Sequence, residues 1–139
     1  MNPTITTLPR PTRSRLVLAV LAGAFIGLGA LYFVVVRSDP SLGFALRQVL
    51  GGMAFALGLI LVVVAGAELF TGNNLIAMAW ASGRVSTAQV LRNWAWVYLG
   101  NLVGAVGTAL LVWLADVHQL SDGAVGETMA VMMVTPVAK

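Results

Sequence analysis

Three long apolar runs separated by short polar stretches organise this chain. Residues 16–36 are 21 positions without a charge, bounded by Arg15 and Arg37. At about 1.5 Å per helical residue, such a run crosses a hydrocarbon core about 30 Å thick once. A cleaved leader would carry a shorter apolar stretch of about 7–15 residues and then a small-residue cleavage site, whereas Arg37, Ser38 and Asp39 follow here. The second run, residues 49–81, holds 33 positions with Glu68 as its only charge. One straight helix of that length would measure about 50 Å, too long for a single crossing. Composition locates the interruption: Gly66, Glu68, Thr71, Gly72, Asn73 and Asn74 crowd into nine positions, and most of these types favour loops and caps over helix interiors. The pattern predicts a helix over 49–65, a short loop, and a half-helix over 74–81 that Gly83 ends. Ser86 is placed to cap a surface-lying helix that leads into Trp94. Residues 94–115 form the third span, with Trp94, Trp96 and Tyr98 at its start and Trp113 near its end, as in interfacial aromatic belts. Residues 1–15, with three prolines, read as an irregular tail. After residue 115 the chain turns polar through His118, Asp122 and Glu127. The apolar run 129–134 belongs to a further segment, 127–139.

Composition supports a membrane domain over 16–139 and narrows its partners. Hydrophobic residues make up 59% of the 139 positions and charged residues 9%, against about 25% charged in a typical soluble domain. The outer surface therefore faces a lipid bilayer. The formal charge of +3 comes from singly scattered cations that flank the apolar runs; they make no basic face, and no nucleic-acid partner is expected. Counted by side, five Arg flank the tail and the Gly83 loop and two follow the first span, which predicts a cytoplasmic N-terminus. There is no cysteine. No metal-ligand spacing, nucleophile with a base, or phosphate-cradling glycine loop occurs, so neither enzymatic activity nor a cofactor is expected.

The interruption is the candidate site. Non-helical backbone at membrane depth is tolerated only where protein buries it or where it lines a cavity. A half-helix starting near Asn74 would aim backbone N–H groups and a partial positive charge into the loop, a device that attracts anions. Glu68 has two readings: a proton-coupling or ion-binding group, or a cap that accepts hydrogen bonds from N–H groups freed by the break. A lone carboxylate beside a helix N-terminus makes a poor cation site. The Thr71 hydroxyl either faces a pathway or bonds the loop. Asn73 belongs to the loop, and Asn101 in the third span has the break as a natural hydrogen-bond partner. Phe55 and Leu59, four apart on one helical face, suit packing, lipid contact or pore lining. Gly23 with Gly27 and Gly100 with Gly104 are small-xxx-small patterns for close helix approach, to which Gly51, Gly52 and Gly58 add. His118 reads as a solvated loop residue.

The octapeptide Gly66-Ala67-Glu68-Leu69-Phe70-Thr71-Gly72-Asn73 resembles the loop of the formate/nitrite transporter family. The match continues through Ala81-Ser82-Gly83-Arg84, Asn93-Trp94 and Val97-Tyr98-Leu99-Gly100-Asn101-Leu102-Val103-Gly104. The resemblance implies an all-α, aquaporin-like fold of two inverted three-helix repeats with broken second helices. It also implies assembly as a homopentamer in a bacterial plasma membrane and proton-linked passage of small monovalent anions such as formate or nitrite. By that resemblance Leu69, Phe70 and Thr71 line the cytoplasmic constriction, Phe55 and Leu59 line the apolar pore, and Lys139 draws anions into the outer vestibule. The residues present correspond to the first repeat. The second broken helix and the family's central histidine have no counterpart in them, and His118 does not match that position. The alternative is a non-transporting membrane scaffold or assembly subunit in which the break serves packing alone.

Overall fold

The computed structural model describes residues 12–134; the sequence-based expectations for residues 1–11 and for Lys139 lie outside these described residues. The architecture is all-helical. Helix α1 runs Thr12–Arg37, α2 Phe44–Val64, α3 Phe70–Asn73, α4 Ile76–Ala81, α5 Thr87–Leu114 and α6 Ala124–Val134, with a 3-10 turn at Val117–Gln119 between the last two. Three of these, α1, α2 and α5, are long and apolar enough to cross a membrane.

The helices overrun the apolar runs that announce them, because nothing breaks helical backbone at their polar ends. Helix α1 begins ahead of the apolar run, so Arg13 and Arg15 sit in its first turn rather than in an irregular tail. Helix α2 starts at Phe44 and contains Arg47, whose Nε donates to the Leu42 carbonyl (2.9 Å). The surface helix expected ahead of Trp94 and the third span are one continuous helix of 28 residues. A reciprocal pair starts it: the Gln89 N–H donates to Ser86 Oγ (3.3 Å) and the Ser86 N–H donates to Gln89 Oε1 (2.9 Å), the capping-box arrangement. No Gly or Pro intervenes before Trp94 to stop it.

Helix α1 packs against both α2 and α5. Small residues set these approaches. A Cβ added at Gly104 would overlap the Val20 carbonyl oxygen, and one at Gly23 would overlap the Asn101 carbonyl. On the other side of α1, a Cβ at Gly58 would lie 2.6 Å from the Phe25 carbonyl oxygen. Gly51 faces the Phe33 ring, whereas Gly52 faces open space and takes no part in the seam. With backbones this close, dispersion contacts rather than water exclusion hold the helices together, since lipid is as apolar as the side chains it replaces. Thr108 is buried in the seam, donating to the Gly104 carbonyl of its own helix (3.0 Å).

The connections are local. Between α1 and α2, the Ser41 hydroxyl and N–H donate to Asp39 Oδ1 (2.6 and 2.9 Å). These two bonds, the hydroxyl first, hold the Asp39 carboxyl below its ordinary pKa. After α5 the chain turns through left-handed Asp116, Ser121, Asp122 and Gly123, bringing α6 back against the 3-10 turn and α1. The turn half-buries His118, and its Nδ1 has no hydrogen-bond partner among the described residues. The expectation of a solvated histidine holds in part: 37% of the side chain is exposed, with Nε2 4.0 Å from Asp116 Oδ1, while Gly27, Thr108, Trp113 and Met129 line a groove with it.

Candidate functional site

The second apolar run is broken, and its first half ends in a motif that glycine permits. The Ala67 N–H donates to the Val62 carbonyl (2.9 Å) and the Gly66 N–H to the Val63 carbonyl (3.1 Å), with Gly66 at φ 60°. This is the Schellman arrangement, in which a left-handed residue closes the helix end and satisfies its last carbonyls. A residue with a Cβ adopts that φ at a cost.

From here the chain leaves helical geometry over 65–69 and leans on its neighbours for hydrogen bonds. The Glu68 N–H donates to the Leu18 carbonyl of α1 (3.2 Å). One side chain does most of the rest. Asn101 Nδ2 donates to the Glu68 carbonyl (3.0 Å) and to the Ala19 carbonyl of α1 (2.8 Å), while Asn101 Oδ1 accepts from the Phe70 N–H (2.9 Å). A single half-buried amide thus joins α5, the loop and α1. Glu68 takes part through its main chain. Among the described residues its carboxylate accepts no hydrogen bond, so the freed N–H groups are not capped by it.

Helical backbone resumes at Phe70 rather than at Asn74, as the single turn α3, and after a bend at Asn74 and Leu75 continues as α4. Asn73 ties the turn down. Its Nδ2 donates to the Leu69 carbonyl (3.3 Å), its Oδ1 accepts from Asn93 Nδ2 (3.2 Å), and its carbonyl accepts from Trp94 Nε1 (3.3 Å). Phe70 lies edge-on to Trp94 and Tyr98, with ring centroids 6.2 and 5.7 Å away, the geometry aromatic quadrupoles favour. Leu69 is half-buried and Thr71 is exposed. The N–H groups of Thr71 and Gly72, and the Thr71 hydroxyl, have no hydrogen-bond partner among the described residues. The Phe70 N–H just before them is taken by Asn101, so these donors at the start of α3 stay open.

Phe55 is half-buried and Leu59 exposed on α2. No hydrogen bond or ring contact joins them to the loop among the described residues. Asn93 and Trp94 are site-forming residues that the sequence reading placed only in a motif and an aromatic belt. For Asn93 the signal is spacing: Asn93, Val97, Asn101, Gly104 and Thr108 recur every three or four positions, one stripe of a helix. Among the described residues no group of His, Asp and Glu could hold a metal ion.

A family model described as formate/nitrite transporter matches residues 4–138 of the chain. The chain is 42% identical over 107 residues to the formate channel FocA of Escherichia coli K12, an alignment covering 76% of this chain and 38% of FocA. It is 44% identical over 96 residues to the formate channel BtFdhC of Bacillus thuringiensis, covering 68% of this chain and 37% of that protein. Among solved structures it resembles a pentameric formate channel with formate bound, with a TM-score of 0.76 and 38% identity over 88% of this chain and 49% of that one. The chain thus spans half or less of the length of these relatives. Three membrane-length helices, a broken second helix and these matches agree: the chain is an integral membrane protein of the formate/nitrite transporter family.

Proposed function

We propose that this chain supplies the N-terminal half of a narrow apolar pore that passes formate or a similar small monovalent anion with proton linkage. Five copies assemble in a bacterial plasma membrane with the N-terminus cytoplasmic. The observation that carries this reading is the open side of the break. Backbone polar groups inside a bilayer must find partners, yet the Thr71 and Gly72 N–H groups and the Thr71 hydroxyl have none among the described residues. Donors fixed at a helix start are suited to an anion or its hydrating water. Leu69 and Phe70 narrow the passage beside them, and Phe55 and Leu59 continue its apolar wall along α2. Lys139 attracts anions at the outer mouth, and the facing wall comes from a second repeat. The relatives' names as formate channels support the substrate class and a transport role rather than catalysis.

The test is flux into proteoliposomes made with the full-length protein. Formate, nitrite and hydrosulfide should enter faster than into empty liposomes, with formate uptake collapsing an imposed pH gradient. Thr71→Trp should reduce entry to the empty-liposome level, while Thr71→Ser keeps it. Wild-type protein no faster than empty liposomes for all three anions would rule the proposal out.

A further inference from the structure

A cleft of about 570 Å³ opens where α1 and α5 begin and α4 passes beside them, a size within the range of about 300–1,000 Å³ usual for small-molecule sites. Leu69, Phe70, Thr71, Phe55 and Leu59 are all absent from its lining, which touches the break at Glu68 and its support at Asn93. Three cations enter it from two helices. Arg13 and Arg15 come from the first turn of α1, and Arg92 from the second turn of α5. All three are exposed, and none makes an ion pair or side-chain hydrogen bond among the described residues.

Three guanidinium groups around one cleft repel one another unless an anion joins them. This chain offers little to do so. Glu68, the acidic residue of the lining, bonds through its main chain at the level of Leu18 and Ala19, about 6 Å deeper along α1 than Arg15 at 1.5 Å per residue. The segment 1–11 carries one charged side chain, Arg10, of the same sign. Leu16, Trp96 and Val97 give the wall beside the cationic rim an apolar face, with Asn93 and Gln89 as polar neighbours.

We propose that this cleft binds the phosphate-bearing headgroup of an anionic glycerophospholipid. The phosphate sits among Arg13, Arg15 and Arg92, and an acyl chain lies along Leu16, Trp96 and Val97. Guanidinium forks match phosphate oxygens in pairs, and basic pockets between membrane helices hold anionic headgroups. The membrane-crossing lengths of α1 and α5 put their first turns at a bilayer surface, where such headgroups are. A free anion would satisfy the rim but leave the apolar wall bare. The proposal does not depend on what the pore carries.

Native mass spectrometry and thermal melting of the full-length protein in detergent test it, with phosphatidylglycerol, phosphatidylcholine and sodium phosphate as probes. Phosphatidylglycerol should remain bound and raise Tm, while phosphatidylcholine and phosphate do neither. The triple variant R13Q/R15Q/R92Q should lose the phosphatidylglycerol adduct while melting like wild type in phosphatidylcholine. Should that variant not purify, R92Q alone, an exposed change on α5, should bind the lipid more weakly. Equal retention of phosphatidylcholine, equal stabilisation by phosphate, or an adduct unaffected by the Arg changes would overturn the proposal.

Discussion

Two neighbouring points on α5 meet the rest of the protein in opposite ways. At Gly104 the absence of a side chain lets the backbone of α1 approach so closely that a Cβ would overlap the Val20 carbonyl oxygen. Three residues earlier, Asn101 reaches into the break and α1 at once through three hydrogen bonds. Both contacts compensate for the bilayer's lack of a hydrophobic drive between helices and its lack of water for backbone groups. The seam tolerates no addition and the break tolerates no removal, so the two should fail differently when mutated.

The largest effect is expected at the seam. Gly104→Leu should cost about 3 kcal/mol, the upper range for overpacking, because the obstacle is backbone and cannot rotate away. Loss of the monodisperse peak in detergent, or a large fall in Tm, is the measurement, with Gly52→Ala as the silent control because Gly52 faces open space. A Gly104→Leu protein that melts like wild type would remove one side of the comparison.

Next comes Asn101→Leu. It leaves the Glu68 carbonyl and the Phe70 N–H without their partner, while the Ala19 carbonyl stays in its helix ladder. Interhelical hydrogen bonds in membranes average about 0.6 kcal/mol, and leaving buried groups unpaired adds to that, so about 2 kcal/mol is expected. Flux should fall further than stability does, because the loop loses its position before the bundle loses its packing. Asn101→Asp sharpens the point: an ionised carboxylate still accepts from the Phe70 N–H but cannot donate to Glu68 or Ala19. Unchanged flux in both variants would show that the loop holds its shape without Asn101.

The smallest effect lies away from both points. Ser86→Ala removes the capping box at the start of α5 and should cost about 1 kcal/mol. Faster amide exchange at Gln89 and Val90, whose N–H groups bond Ser86, with the loop around Phe70 unaffected, would confirm that this end of α5 is independent of the break.

The sequence by itself determined the three spans, the need for an interruption in the second, and its place. Those conclusions rest on local quantities: run length against bilayer thickness, and the density of Gly, Asn and Thr around Glu68. The octapeptide identified the family for the same reason, being contiguous. Boundaries were less legible, since α1, α2 and α5 extend past their apolar runs wherever no breaker stops the hydrogen-bond ladder. The sequence pointed Asn101 toward the break, but only the tertiary structure decided which individual groups it joins there. Asn101 meets the Ala19 carbonyl 82 positions away and the Glu68 carbonyl 33 positions away. No periodicity within one helix specifies such partners. The same holds for the Glu68 carboxylate, a possible cap that accepts no hydrogen bond among the described residues, and for the three arginines of the cleft, scattered in the sequence and gathered by packing. Local chemistry shows where a membrane helix must break, and only the docking of neighbouring helices determines what completes it.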